Sequence, residues 1–212
     1  MKHLAWVPIL FLVCCNKPAP AETPAPAASP SSEAKPAAPA AAPAAPAAAP
    51  AVPGAADTVS AGGLTWSAGA PFHKRQPKST MRVAEYGVDG DDTGELAVFY
   101  FGSDQGGGVE KNMARWISQF KQPDGSETQA KRSERTVGDT DVALIEATGT
   151  YSGGMAMPGM PSRGEQTNAA LLGAIAKGPK GDVFFKLVGS KSGVEQARSS
   201  FDALIASIRK AE

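Results

Sequence analysis

The stretch GELAVFYFGSDQGGGVEKNMARWISQF, Gly94 to Phe120, holds the clearest strand, the tightest glycine loop and the clearest amphipathic helix of the chain in direct succession. Glu95 to Phe101 is rich in β-branched and aromatic residues. Its near-continuous apolar run predicts a central strand covered on both faces rather than an alternating edge strand. Gly106-Gly107-Gly108 then supplies a strand-to-helix joint. Beyond it Val109, Met113, Trp116, Ile117 and Phe120 recur at helical period and make one apolar stripe, while Glu110, Lys111, Arg115 and Gln119 fall elsewhere. Gln122-Pro123-Asp124-Gly125 ends the helix, because proline cannot continue the hydrogen-bond ladder and Asp-Gly favours a turn.

Outward from this stretch the elements alternate in a plausible order. Leu64 to Ser67 and Met81 to Val88 read as strands, with Asp89 to Gly94 turning the second of them into Glu95 to Phe101. Glu127 to Val137 reads as a polar edge strand, and Gly138-Asp139-Thr140 turns it into Asp141 to Tyr151, where Val142, Leu144, Ile145 and Ala147 carry the apolar content. Ala169 to Ala176 and Asp182 to Val188 form a hairpin across Gly178-Pro179-Lys180-Gly181. The last element is a helix in which Ser192 and Glu195 have capping-box spacing and Val194, Ala197, Phe201, Leu204, Ile205 and Ile208 share one face. Strands in this number, with two amphipathic helices, predict an α+β domain with a central antiparallel sheet flanked by helices.

The N-terminus is of another kind. Residues 1–15, MKHLAWVPILFLVCC, begin with a short cationic segment and continue with about ten mostly apolar residues, Leu4 to Val13. A bilayer span needs roughly 20, so this run fits the h-region of a secretory signal. Leu12-Val13-Cys14-Cys15 resembles the lipobox of bacterial lipoproteins, in which the cysteine receives the lipid and becomes the mature N-terminus. Cys15 is the expected acceptor, with Cys14 as the alternative. Residues 16–56 are almost entirely alanine and proline, a composition that cannot bury a core and favours extended polyproline II, so they are expected to be a disordered tether. At about 3.1 Å per residue, such a tether reaches on the order of 100 Å. Asn16 is not the aspartate that resembles an inner-membrane retention signal, so the expected site is the outer membrane, facing the periplasm or the cell surface.

Residues 57–212 are long enough for one domain with a substantial core. Both cysteines lie in the signal, so this domain has neither a disulfide framework nor a Cys-ligated zinc site. From Asp57 onward 18 basic residues face 19 acidic ones without a basic cluster, which gives no footing for nucleic acid or for electrostatic membrane binding.

Met81-Arg82, ELAVFYF, GGVEKNMARWISQF with the following QPDG, Gly149-Thr150-Tyr151 and GDVFFKLVGSKSGVEQARSSFDALIASI together resemble a group of envelope lipoproteins of Gram-negative bacteria. Their domain is similar to the PsbP and DcrB class, a central antiparallel sheet sandwiched by helices. The resemblance implies a PsbP-like α/β/α sandwich and an envelope location. That structural class includes non-enzymatic binding and assembly proteins, and it supplies no set of functional residues for these positions.

Several local features compete as sites. Met155, Met157 and Met160 lie in the glycine- and proline-rich loop SGGMAMPGMPSRGEQTN. Three thioethers at short spacing suit Cu(I) or Ag(I), but flexible methionines also make adaptable apolar contact surfaces, and no metal or other cofactor is expected. DGDDTGE, Asp89 to Glu95, departs from a calcium loop at Thr93 and at Tyr100, and reads as a solvated acidic turn. Gly106-Gly107-Gly108 precedes a helix but lacks the Lys-Ser/Thr pair of a phosphate loop. His73, the only histidine beyond the signal, has no nucleophile elbow to serve and reads as a surface residue beside Lys74 and Arg75. Trp66 and Trp116 are expected in the core or in a groove.

The leading expectation is a membrane-tethered, non-catalytic binding or assembly module of the cell envelope, with a lipid anchor and an envelope protein as partner. The alternatives are a copper- or silver-handling lipoprotein using the methionine loop and an enzyme without a recognisable motif.

Overall fold

A computed structural model describes residues 57–153 and 164–211. Residues 1–56, read above as signal and tether, and the loop with Met155, Met157 and Met160 therefore lie outside the described residues. In chain order the elements are β1 (Asp57–Ala61), β2 (Leu64–Ala68), β3 (Phe72–Arg75), β4 (Arg82–Val88), β5 (Asp91–Tyr100), α1 (Gly108–Ile117), β6 (Phe120–Lys121) and β7 (Lys131–Val137). There follow β8 (Thr140–Tyr151), β9 (Gln166–Gly178), β10 (Gly181–Ser190), α2 (Lys191–Ala206) and β11 (Arg209–Lys210).

The apolar runs become the centre of an antiparallel eight-stranded sheet ordered β3-β4-β5-β10-β9-β8-β6, with β7 also paired to β8. β7 takes the first half of β8, from Val137 opposite Thr140 to Lys131 opposite Glu146, and β6 takes its end at Thr150 and Tyr151. Along the central strands successive side chains go to opposite faces. Leu96, Val98, Leu172, Val183, Phe185 and Leu187 go to one side, where Val194, Ala197, Phe201, Leu204 and Ile205 of α2 meet them together with Leu64 and Trp66 of β2. Ile145, Leu171, Ile175, Phe184 and Val188 go to the other side, beneath Met113 and Trp116 of α1. The fold is thus α+β, a central antiparallel sheet flanked by helices. A second sheet, β1-β2-β11, stands on the α2 side, where β2 contributes to the same core.

Several element ends differ from the sequence reading. The turn before the central strand is narrower than Asp89 to Gly94: Gly90, at φ 84°, makes it, and Asp91 already pairs with Val88 after a bulge. Helix α1 stops at Ile117, because the chain must turn at Ser118 and Gln119 to bring Phe120 and Lys121 alongside β8. Phe120 still joins the α1-side core, but from a strand. The polar strand begins at Lys131 rather than Glu127, and its side chains are largely exposed, as expected of an edge. The cap of α2 is Ser190, whose Oγ accepts from the Gly193 N–H at 3.0 Å, and not Ser192. Strand β10 runs directly into the helix, and Glu195 turns outward to Arg198 instead of reaching back to the helix start.

Candidate functional site

Helix α1 covers only part of its face of the sheet. It stands over β8 and β9, where Gly173 lets the Trp116 ring approach: a Cβ there would lie 2.6 Å from the ring and 2.7 Å from Ile145 Cγ2. Over β4 and β5 the same face carries charge. The Arg82 guanidinium donates to Glu85 Oε2 at 2.7 Å and to Glu95 Oε1 at 3.0 Å. The Lys78 ammonium lies 3.2 Å from Glu85 Oε1 and also binds Glu95. Glu85 is fully buried. Burial would raise its pKa, but the Lys78 backbone N–H, the Arg82 guanidinium and the Lys78 ammonium together hold it below the ordinary carboxylate value.

Between this network and α1 lies a cleft of about 300 Å³. The sheet supplies its floor through Ala97 and Phe99 of β5 and Phe184, Lys186 and Val188 of β10, while Trp116, Arg115 and Asn112 line it from α1. Tyr151, at the end of β8, and Gln119 close one side. Met81, half exposed, stands at the rim. Aromatic contacts fix the floor. Phe99 and Phe101 stack with centroids 6.1 Å apart, and Phe101 meets Phe184 at 5.5 Å.

Two cations point into this space without a carboxylate at salt-bridge distance among the described residues. The Lys186 ammonium donates to Gln119 Oε1 and, at 3.4 Å, to the Tyr151 hydroxyl, and lies 5.2 Å from the Tyr151 ring centroid. Burial pushes its pKa down to about 7. The Glu95 charge works against that shift, and Arg82 and Arg115 add to it. The Arg115 guanidinium donates to Asn112 Oδ1. Asn112 is itself buried and held, since its amide donates to the Gly106 and Gly108 carbonyls at 2.6 and 2.8 Å. The glycine joint is therefore part of the cleft's construction. At Gly106, with φ 89°, a side chain would collide with Phe101 and Phe184.

The residues singled out from the sequence are dispersed. Met155, Met157 and Met160, like Cys15, lie outside the described residues. Within Asp89 to Glu95, Glu95 reaches the cleft, Asp91 is buried at the start of α2, and Asp89 meets the exposed His73, 2.7 Å from Nδ1. Arg75 Nε donates to the other ring nitrogen of His73 at 3.1 Å. Trp66 is core, edge-on to Phe185 at 5.1 Å, whereas Trp116 is both core and cleft wall. Lys186 was missed, although a lone lysine inside the run VFFKLVG is a visible signal. Among the described residues no group of three or more His, Cys, Asp or Glu side chains is placed to hold a metal ion.

No family model and no curated protein matches the chain. Among solved structures it is similar in fold to the solution structure of cyanobacterial PsbP (CyanoP) from Synechocystis sp. PCC 6803, at 13% identity and a TM-score of 0.47, over 78% of this chain and 99% of that one.

Proposed function

We propose that this chain is a non-catalytic binding module of the bacterial cell envelope. Cys15 carries the lipid anchor in the outer membrane, residues 16–56 act as the tether, and the cleft beside α1 is the binding surface. The observation that carries the reading is the cleft itself, a ligand-sized concavity with an aromatic floor and two cations, Lys186 and Arg115, whose polar contacts are to neutral oxygens. The carboxylate in the cleft, Glu95, is engaged by Arg82 and Lys78, an arrangement suited to holding shape rather than to moving protons.

The test places a photo-crosslinking residue at Met81, on the cleft rim, or at Glu195, exposed on α2, in cells expressing the full chain. The expected result is a defined adduct from Met81 that disappears in Arg115→Gln and is absent from Glu195. Adducts from Glu195 alone, or none from either position, refute the cleft as binding surface. Cys15→Ser is expected to abolish palmitate labelling and to release the protein from membranes or leave its precursor unprocessed. Unchanged labelling removes Cys15 as the anchor.

A further inference from the structure

Among the described residues, charge within the cleft is unevenly matched. Arg82 and Lys78 share Glu85 and Glu95, so two cations meet two carboxylates. Arg115 and Lys186 stand outside that balance. Their contacts, Asn112 Oδ1, Gln119 Oε1 and the Tyr151 hydroxyl, orient the charges without neutralising them. The part-buried Lys186 ammonium is poorly hydrated in this aromatic-lined space, and an anion placed between it and the more exposed Arg115 restores what burial removes.

We propose that the cleft holds a small organic carboxylate, with its carboxylate between Lys186 and Arg115 and its apolar body against Phe99, Phe101 and Trp116. The proposal rests on the reading of the cleft as the binding surface and adds the class of ligand. Three observations select that class. A guanidinium presents parallel N–H groups that match a carboxylate, and Asn112, anchored on the glycine joint, holds this one in place. Phe99 and Phe101 are only partly buried and offer ring surface that an apolar body would cover. A volume of about 300 Å³ is at the lower end for small-molecule sites, which suits a compact ligand.

The experiment uses the full-length protein in detergent and two probe acids, naphthylacetate and decanoate, each titrated calorimetrically beside its uncharged primary amide near neutral pH. At least one acid is expected to bind about tenfold or more tightly than its amide, a difference of about 1.4 kcal/mol. Arg115→Gln and Lys186→Met are each expected to reduce that preference while the variants melt cooperatively. Equal binding of acid and amide, a preference that survives both substitutions, or no binding of any probe overturns the proposal. Failure of this proposal is separable from failure of the cleft reading. Equal acid and amide binding, with the Arg115-dependent Met81 crosslink intact in cells, removes the carboxylate and leaves the cleft. Acid-selective binding without that crosslink does the reverse.

Discussion

Asp91 ties the start of β5 to the start of α2, and replacing it with asparagine changes little but charge and one acceptor. Its Oδ1 accepts from the Thr93 N–H at 3.0 Å and the Thr93 hydroxyl at 2.6 Å, and its Oδ2 from the Ser190 N–H at 2.8 Å and the Ser190 hydroxyl at 3.0 Å. The same Ser190 hydroxyl caps α2. Gly189 and Gly193 leave the room, since a side chain at either would occupy the position of the carboxylate. In Asp91→Asn the amide nitrogen must face one of the two donor pairs. At least one backbone N–H then loses a charge-assisted bond worth about 1.5–3 kcal/mol, and the bonds that remain are weakened. The expected cost is about 2–4 kcal/mol, a fall in melting temperature of about 5–15 °C for a domain of this size. Urea midpoints measure it. Burial would raise the Asp91 pKa, but the bonds from Thr93 and Ser190 outweigh it and hold the native value below the ordinary one of 3.8. The contribution is therefore complete above the ordinary value and lost as pH falls through the native value. The gap between wild type and variant should close in acid. Equal midpoints at neutral pH, or a gap undiminished down to about pH 2, refute the role given to Asp91.

Trp116→Ala should cost about 3–5 kcal/mol in urea unfolding, as expected for a large aromatic removed from a packed face; a near-neutral result would mean that the ring serves the cleft alone. Gly173→Ala should cost about 1–3 kcal/mol by overpacking against that ring, and its cost should shrink in the Trp116→Ala background, because the clash partner is gone. Lys186→Met probes the buried charge. With the native pKa at about 7 against 10.5, the unfolded chain binds more protons between those values, so the wild type loses stability as pH falls through that window. Relative to wild type, the methionine variant should gain steadily from about pH 10.5 down to about 7 and no further, and a pH-independent difference would show that Lys186 titrates normally.

The parts of the fold legible in the sequence are those whose burial is written into consecutive residues. Glu95 to Phe101 and Asp182 to Val188 announced two adjacent central strands, and the α2 stripe from Val194 to Ile205 is buried throughout, with Ile208 buried just beyond the end of the helix rather than on it. Apart from β2, the short strands were not legible. β1 (DTVSA), β3 (FHKR) and β11 (RK) have neither an apolar run nor a clean alternation, and each exists through pairing with a neighbour such as Val88 or Leu64. Element ends were lost for the same reason. The choice of Ser190 over Ser192 as cap depends on where β10 stops, which is set by its register with β9 and not by the Ser-x-x-Glu spacing.

The cleft was illegible for a different reason: no element contains it. Arg82, Glu95, Arg115, Tyr151 and Lys186 come from β4, β5, α1, β8 and β10. Yet its existence follows from dimensions. Seven strand positions at about 4.8 Å make a sheet on the order of 30 Å wide, whereas one helix, about 10–12 Å across with its side chains, covers two or three strands. On the α2 face the second sheet helps to fill the remainder through Leu64 and Trp66. On the opposite face α1 is ten residues long and stands over β8 and β9, and among the described residues no second sheet covers β4 and β5. There the chain places ion pairs, the exposed Lys78 and the part-buried Arg82 with the buried Glu85 and the part-buried Glu95, instead of an apolar surface. Between a helix that covers too little and a polar network that needs no cover there must be a seam. Lys186, on the central strand below that seam, carries its charge into the floor of the cleft.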